Sequence, residues 1–191
     1  MSSTAPSTFE LLKAIELYFQ GEKIEALVFI LPVGLLSLVF SAWLFTDGPS
    51  SFARGMAIPF LVMGLVMTAV GGVVGLRTPS QVAQLQHGVH TDLRPAVATE
   101  SVRMEKVNKA WSTYLIVWGL MGVVGLGLRF ATSADFAHGL GIALVLFSGV
   151  GLMVDGFAER RAHSYAATLA GVAGVAGVAA PPGAGASALH R

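Results

Sequence analysis

Four stretches of this chain, residues 26–46, 55–76, 110–128 and 136–154, contain no Asp, Glu, Lys or Arg. Each is as long as the roughly 17 to 25 apolar residues needed to cross a hydrocarbon core about 30 Å thick. Backbone N–H and C=O groups find no water inside that core, so a crossing segment must satisfy its own hydrogen bonds, and a run of this length does so as a helix. Composition agrees: 54% of the 191 residues are hydrophobic and 12% charged, whereas soluble domains carry about 25% charged residues. The expected fold class is therefore an all-α integral membrane protein with four transmembrane helices.

The four stretches pair into two copies of one helical hairpin. Phe52-Ala53-Arg54-Gly55-Met56-Ala57-Ile58 recurs as Phe136-Ala137-His138-Gly139-Leu140-Gly141-Ile142, and the same displacement carries Val66 to Val150, Val70 to Val154 and Arg77 to Arg161. Upstream, Glu22-Lys23-Ile24 matches Glu105-Lys106-Val107 and Gly34-Leu35 matches Gly119-Leu120 with slips of one residue, as small changes in the bends would produce. Both copies begin on the same side of the bilayer, so the sequence predicts an approximate twofold axis along the membrane normal.

Orientation follows from charge. Of the 12 Lys and Arg residues, only Arg54 and Arg129 border the two tight bends, and the remainder flank the opposite ends of the spans. Positive residues are retained on the cytoplasmic side, which places both termini and the central loop there. The first residues lack an apolar core before a small-residue cleavage site, so no removable secretory signal is expected. Abundant Ala, Gly and Val point to a bacterium with a GC-rich genome, and hence to an inner membrane. The absence of cysteine excludes disulfides, thiolate metal sites and cysteine nucleophiles. A net charge of +1, with no basic stripe interleaved with aromatics, gives no footprint for nucleic acid.

Outside the spans, residues 1–23 should form a disordered start and an amphipathic helix from Thr8, with Leu11, Leu12, Ile15, Tyr18 and Phe19 on one face. Its polar face carries Glu10 and Glu16 against Lys13, unlike the cationic face of a lipid-surface helix, so packing within a bundle or on a partner is expected. Pro32 and Pro59 should kink the first hairpin, residues 24–77. In the cytoplasmic loop, residues 78–109, Thr78-Pro79-Ser80-Gln81 is a helix start. That helix should stop near Gly88, and a second should begin near Ala98, supported by the pairs Glu100/Arg103 and Glu105/Lys109. After the second hairpin, residues 110–161, the Ala/Gly-rich segment 162–191 reads as a flexible tail rather than a fifth span.

Chemistry-bearing groups are few. Gly71 and Gly75, with further glycines in the third and fourth spans, let helix backbones approach closely and serve either internal packing or a docking face. Asp155 lies about one turn from the inner surface. An ionisable group there raises a functional hypothesis, against which stands an interfacial ion pair with Arg160 or Arg77. Glu159, Arg160 and Arg161 mark the membrane edge, and Glu159 with His163 has the spacing of an acid/base pair or of a plain surface contact. His87, His90 and Asp92 have a weak metal-ligand spacing in a loop that breaks at Gly88 and lacks a fourth ligand. Ser37, Ser41, Thr68, Tyr114 and Ser148 are the polar groups within the spans, and any pore between copies would have to use them. No phosphate loop, nucleophile elbow or paired-carboxylate site occurs, so no catalytic residue, metal or cofactor is assigned.

The segment Phe157-Ala158-Glu159-Arg160-Arg161, followed by Tyr165, resembles the Ala-Glu-Arg-Arg-x-x-x-Tyr ending of small bacterial four-span membrane proteins of unassigned function. The resemblance touches all four spans and implies two hairpins; it supplies no catalytic residue. The functional expectation is a non-enzymatic inner-membrane protein that acts through helix–helix contact with itself or another membrane protein, as accessory subunit, scaffold or immunity-type protein. The alternative is a small homo-oligomeric channel or facilitator.

Overall fold

The computed structural model describes residues 7–48 and 50–178. Among them every regular element is helical: α1 (Thr8–Ile24), a π-helical segment (Glu25–Ile30), α2 (Leu31–Thr46), α3 (Ser51–Thr91), α4 (Leu93–Ala131) and α5 (Asp135–Ala176). Because α1, the π segment and α2 run on without a break, four helices are long and apolar enough to cross a membrane: Thr8–Thr46, Ser51–Thr91, Leu93–Ala131 and Asp135–Ala176. The 41 residues of α3 extend about 60 Å, twice the thickness of a hydrocarbon core. Many large apolar side chains stand exposed along these helices, among them Leu36, Val39, Val123 and Phe130. Water would penalise that surface and lipid would not, and the chain is on these grounds a multi-pass membrane protein.

The π segment has a local cause. Pro32 carries no N–H, so the carbonyl one turn earlier would lose its partner. The helix widens instead, and the Leu31 N–H reaches back five residues to Ala26 O. The sequence expectation of a distortion at Pro32 thus meets a wide π turn immediately before it.

The chain divides into two compact units. The bundle unit comprises the chain up to Gly21, Arg77–Trp111 and the chain from Ala158; the span unit comprises Glu22–Leu76 and Ser112–Phe157. In the bundle unit, Leu11, Ile15 and Phe19 of α1 pack with Val89 of α3, Val97 and Met104 of α4, and Ala162, Tyr165, Leu169 and Val172 of α5. Two expectations change here. Residues 162–176 are helical and buried along one face rather than a flexible tail, because Ala162, Tyr165, Leu169 and Val172 recur every three to four residues. The remainder of that segment, residues 179–191, lies outside the described residues, as do residues 1–6. Second, α3 continues through Gly88 to Thr91 and α4 starts at Leu93. Gly88 O still accepts the Asp92 N–H at 2.9 Å; the break falls beside Pro95, which has no N–H to return.

In the span unit, Phe60, Met67, Ala143 and Phe147 form one core cluster and Leu44, Ala53 and Ala57 a second. Phe60 meets Phe40 and Phe147 edge-on, with ring centroids 4.8 and 4.9 Å apart. Glycines set the closest approaches. A Cβ on Gly55 would strike the carbonyl of Phe136, and one on Gly139 would strike the carbonyl of Phe52. Gly125 and Gly141 oppose each other across α4 and α5: a Cβ on Gly125 would lie 2.7 Å from Gly141 O.

Candidate functional site

The positions singled out from sequence do not converge on one place. In the span unit, Gly71 and Gly75 are both buried against the start of the first span. A Cβ on Gly71 would sit 2.7 Å from Leu31 N and 2.9 Å from Ala26 O, and one on Gly75 would collide with the Leu27 side chain. These two glycines therefore seat α3 on the widened π turn and are consumed by internal packing. Gly72, Gly119, Gly127, Gly149 and Gly156 face open space.

Asp155 is half-buried, and the partner that the fold gives it is Trp118 of α4, whose indole N–H donates to Asp155 Oδ2 at 2.6 Å. Gly151, one turn earlier on α5, leaves room for the Trp118 ring, since a Cβ there would overlap the indole. Ser148 completes the clasp by donating to Trp118 O at 2.7 Å. Gly151, Ser148 and Asp155 thus lie on one face of α5 and hold both the ring and the backbone of Trp118. Sequence reasoning weighed a functional role for Asp155 against an ion pair with Arg160 or Arg77 and missed Trp118, whose position 37 residues earlier carries no local signal.

The polar groups a pore would need are turned inward. Ser41 is fully buried and donates to Ala57 O at 2.8 Å, and Ser37 donates to Val33 O at 2.7 Å. Ser148 is buried in the clasp, and Thr68 Oγ1 is sealed against water without a hydrogen-bond partner. Tyr114 stands on the outer surface.

In the bundle unit, Glu159 offers His163 its backbone carbonyl, 2.9 Å from Nδ1, so their contact is a helix-turn interaction and the carboxylate takes no part. Arg160 and Arg77 are exposed, while Arg161 lies half-buried along Gly21, where a Cβ would be 2.7 Å from Arg161 Cδ. Among the described residues no three His, Asp or Glu side chains approach closely enough to hold a metal ion, His87, His90 and Asp92 included.

The most elaborate polar arrangement lies elsewhere in this unit, around Glu100. This buried carboxylate receives Arg103 in two-point fashion, Nη2 to Oε1 at 2.6 Å and Nε to Oε2 at 2.7 Å, and also accepts the Tyr165 hydroxyl at 3.0 Å. Tyr165 stacks on Tyr18 with centroids 4.6 Å apart, and the Arg103 guanidinium lies 5.3 Å from the Phe19 ring. Burial pushes the Tyr165 phenol above its ordinary value of 10.0, and the charge and hydrogen bond of Glu100 push it further. Burial works against the charge on Arg103, but its bonds to Glu100 outweigh that and keep the guanidinium more firmly protonated than usual. The spacing of Glu100 and Arg103 was legible as a helix pair, whereas the third member, 65 residues from Glu100, was visible only as the tyrosine of the Ala-Glu-Arg-Arg ending.

Beside this network opens a pocket of about 570 Å³ between the end of α3 and the start of α4, with Phe19 contributing from α1. Its apolar wall is Phe19, Leu85, Pro95 and Ala96; its polar lining includes Gln81, Gln84, His87, Thr91, Asp92 and Thr99 together with Glu100 and Arg103.

The architecture defines a class, an all-α membrane protein with four helices long and apolar enough to span a bilayer. No protein-family model, curated protein or solved structure matches the chain.

Proposed function

We propose that this chain is a non-enzymatic integral protein of a bacterial inner membrane that works through helix–helix contact, as an accessory subunit, scaffold or immunity-type protein. The observation that carries the reading is the division of its glycines. Gly34, Gly55, Gly71, Gly75, Gly125 and Gly139 are pressed against neighbouring backbone or side chains, whereas Gly119, Gly127, Gly149 and Gly156 meet nothing within 4 Å. Only 6% of the apolar window of α4 is buried within the chain. Small residues on an outer face lower the cost of close approach by another helix, where lipid supplies no hydrophobic drive. A homo-oligomeric channel is less well supported, because Ser37, Ser41 and Ser148 are buried and bonded to carbonyls within the span unit.

The proposal includes the duplicated hairpins and the cytoplasmic placement of both termini. Its support for duplication is the reciprocal contact of Gly55 with Phe136 and of Gly139 with Phe52, which is the pattern expected where equivalent helices meet at a twofold axis. The test is purification of the tagged protein from its native membrane in mild detergent. A different membrane protein at stoichiometric amount, released by Gly119→Leu with Gly127→Leu, is the expected result. Recovery of a monomer alone would overturn the reading, and recovery of copies of itself alone would move the argument to flux assays.

A further inference from the structure

The pocket beside Glu100 combines an apolar wall with polar side chains, and that chemistry selects what could enter. We infer that it takes a small organic cation, an ammonium or amidinium group carried on an apolar body. Its volume of about 570 Å³ falls inside the roughly 300 to 1,000 Å³ typical of small-molecule sites, which combine an apolar wall with a few convergent polar groups. Phe19, Leu85, Pro95 and Ala96 supply that wall.

The polar groups are biased toward receiving donors. Asp92 Oδ1 accepts only its near neighbour's backbone, the Arg94 N–H at 3.3 Å, and a carboxylate retains further lone pairs for a ligand. Thr91 has already directed its hydroxyl to His87 O at 2.9 Å. The one cation in the lining, Arg103, is neutralised by Glu100 through two short bonds. With Arg103 paired to Glu100, Asp92 is the lining carboxylate left without an ion-pair partner among the described residues. A cation can donate to the lone pairs that Asp92 leaves open, while an anion would face that carboxylate unpaired. The rim is also held in place from two sides, by the Glu100–Arg103–Tyr165 network and by the Asp92 N–H to Gly88 O bond at 2.9 Å across the α3–α4 junction.

The experiment uses the full-length protein in phosphatidylcholine nanodiscs, with phenethylammonium as probe, phenethyl alcohol and phenylpropionate as neutral and anionic counterparts, and saturation-transfer NMR against empty nanodiscs as readout. Phenethylammonium should bind saturably, the alcohol at least tenfold more weakly and the propionate not at all. Asp92→Asn should weaken the cation at least tenfold, and filling the pocket by Thr99→Trp should abolish binding. Gln84→Trp, at a second exposed lining position, should do the same if Thr99→Trp fails to fold. Absence of saturable binding, equal binding of the three probes, unchanged affinity in Asp92→Asn, or binding that survives a folded pocket-filling variant would each overturn the inference.

Discussion

Tyr165→Phe is the sharpest test of how the bundle unit is held together. The substitution removes one oxygen and leaves the ring, so the stack on Tyr18 at 4.6 Å and the edge contact with Phe19 at 6.4 Å persist. What is lost is the 3.0 Å bond to Glu100 Oε1, a neutral donor on a buried charged acceptor, which contributes about 1.5 to 3 kcal/mol. Because Arg103 still holds the carboxylate, the loss should stay in that range and not approach the roughly 3 to 5 kcal/mol of stranding a buried charge. Hydrogen exchange read by mass spectrometry over residues 162–173 measures the opening of this helix directly. A loss of that size should accelerate exchange there by about ten- to 150-fold. Combining the change with Glu100→Gln should give a coupling on the order of 0.5 to 3 kcal/mol, as expected of residues in one network. Exchange within about threefold of the unaltered protein, or a coupling near zero, would refute the claim that Tyr165 and Glu100 jointly secure α5.

The same pair sets a pH dependence. Tyr165 has a folded-state value raised above its ordinary 10.0, so the folded state keeps the proton longer than the unfolded one. Its contribution is complete below pH 10 and declines as pH rises beyond it; a protection profile over residues 162–173 should fall above pH 10 in the native protein and flatten in Tyr165→Phe. In the span unit, Gly55→Leu or Gly139→Leu drives a side chain into a facing carbonyl and should cost about 1 to 3 kcal/mol or more. Gly72→Leu, at a site with nothing within 4 Å, should leave the midpoint of SDS-induced unfolding unchanged. Trp118→Phe strands Asp155 by removing a 2.6 Å donor and should cost about 1 to 3 kcal/mol. Asp155→Asn keeps an acceptor and should cost less on the same SDS titration, and the reverse order would show that Asp155 has another principal partner.

The four long apolar helices and the helix starting at Thr8 were legible in the sequence because each follows from composition or from a period of three to four residues, properties that neighbours along the chain carry by themselves. The same period was present at Ala162, Tyr165, Leu169 and Val172, but it was hidden among Ala and Gly whose composition resembles a tail. Folding alone decided which groups met. Trp118 and Asp155 are 37 residues apart and Tyr165 and Glu100 are 65 apart, and contacts at such separations depend on how helices rotate and cross rather than on local preference. The fate of the glycines was decided in the same way. Gly71 and Gly72 are neighbours of identical chemistry, yet one lies against Leu31 and Ala26 while the other faces open space, since successive helix positions point about 100° apart and only packing determines which direction is inward.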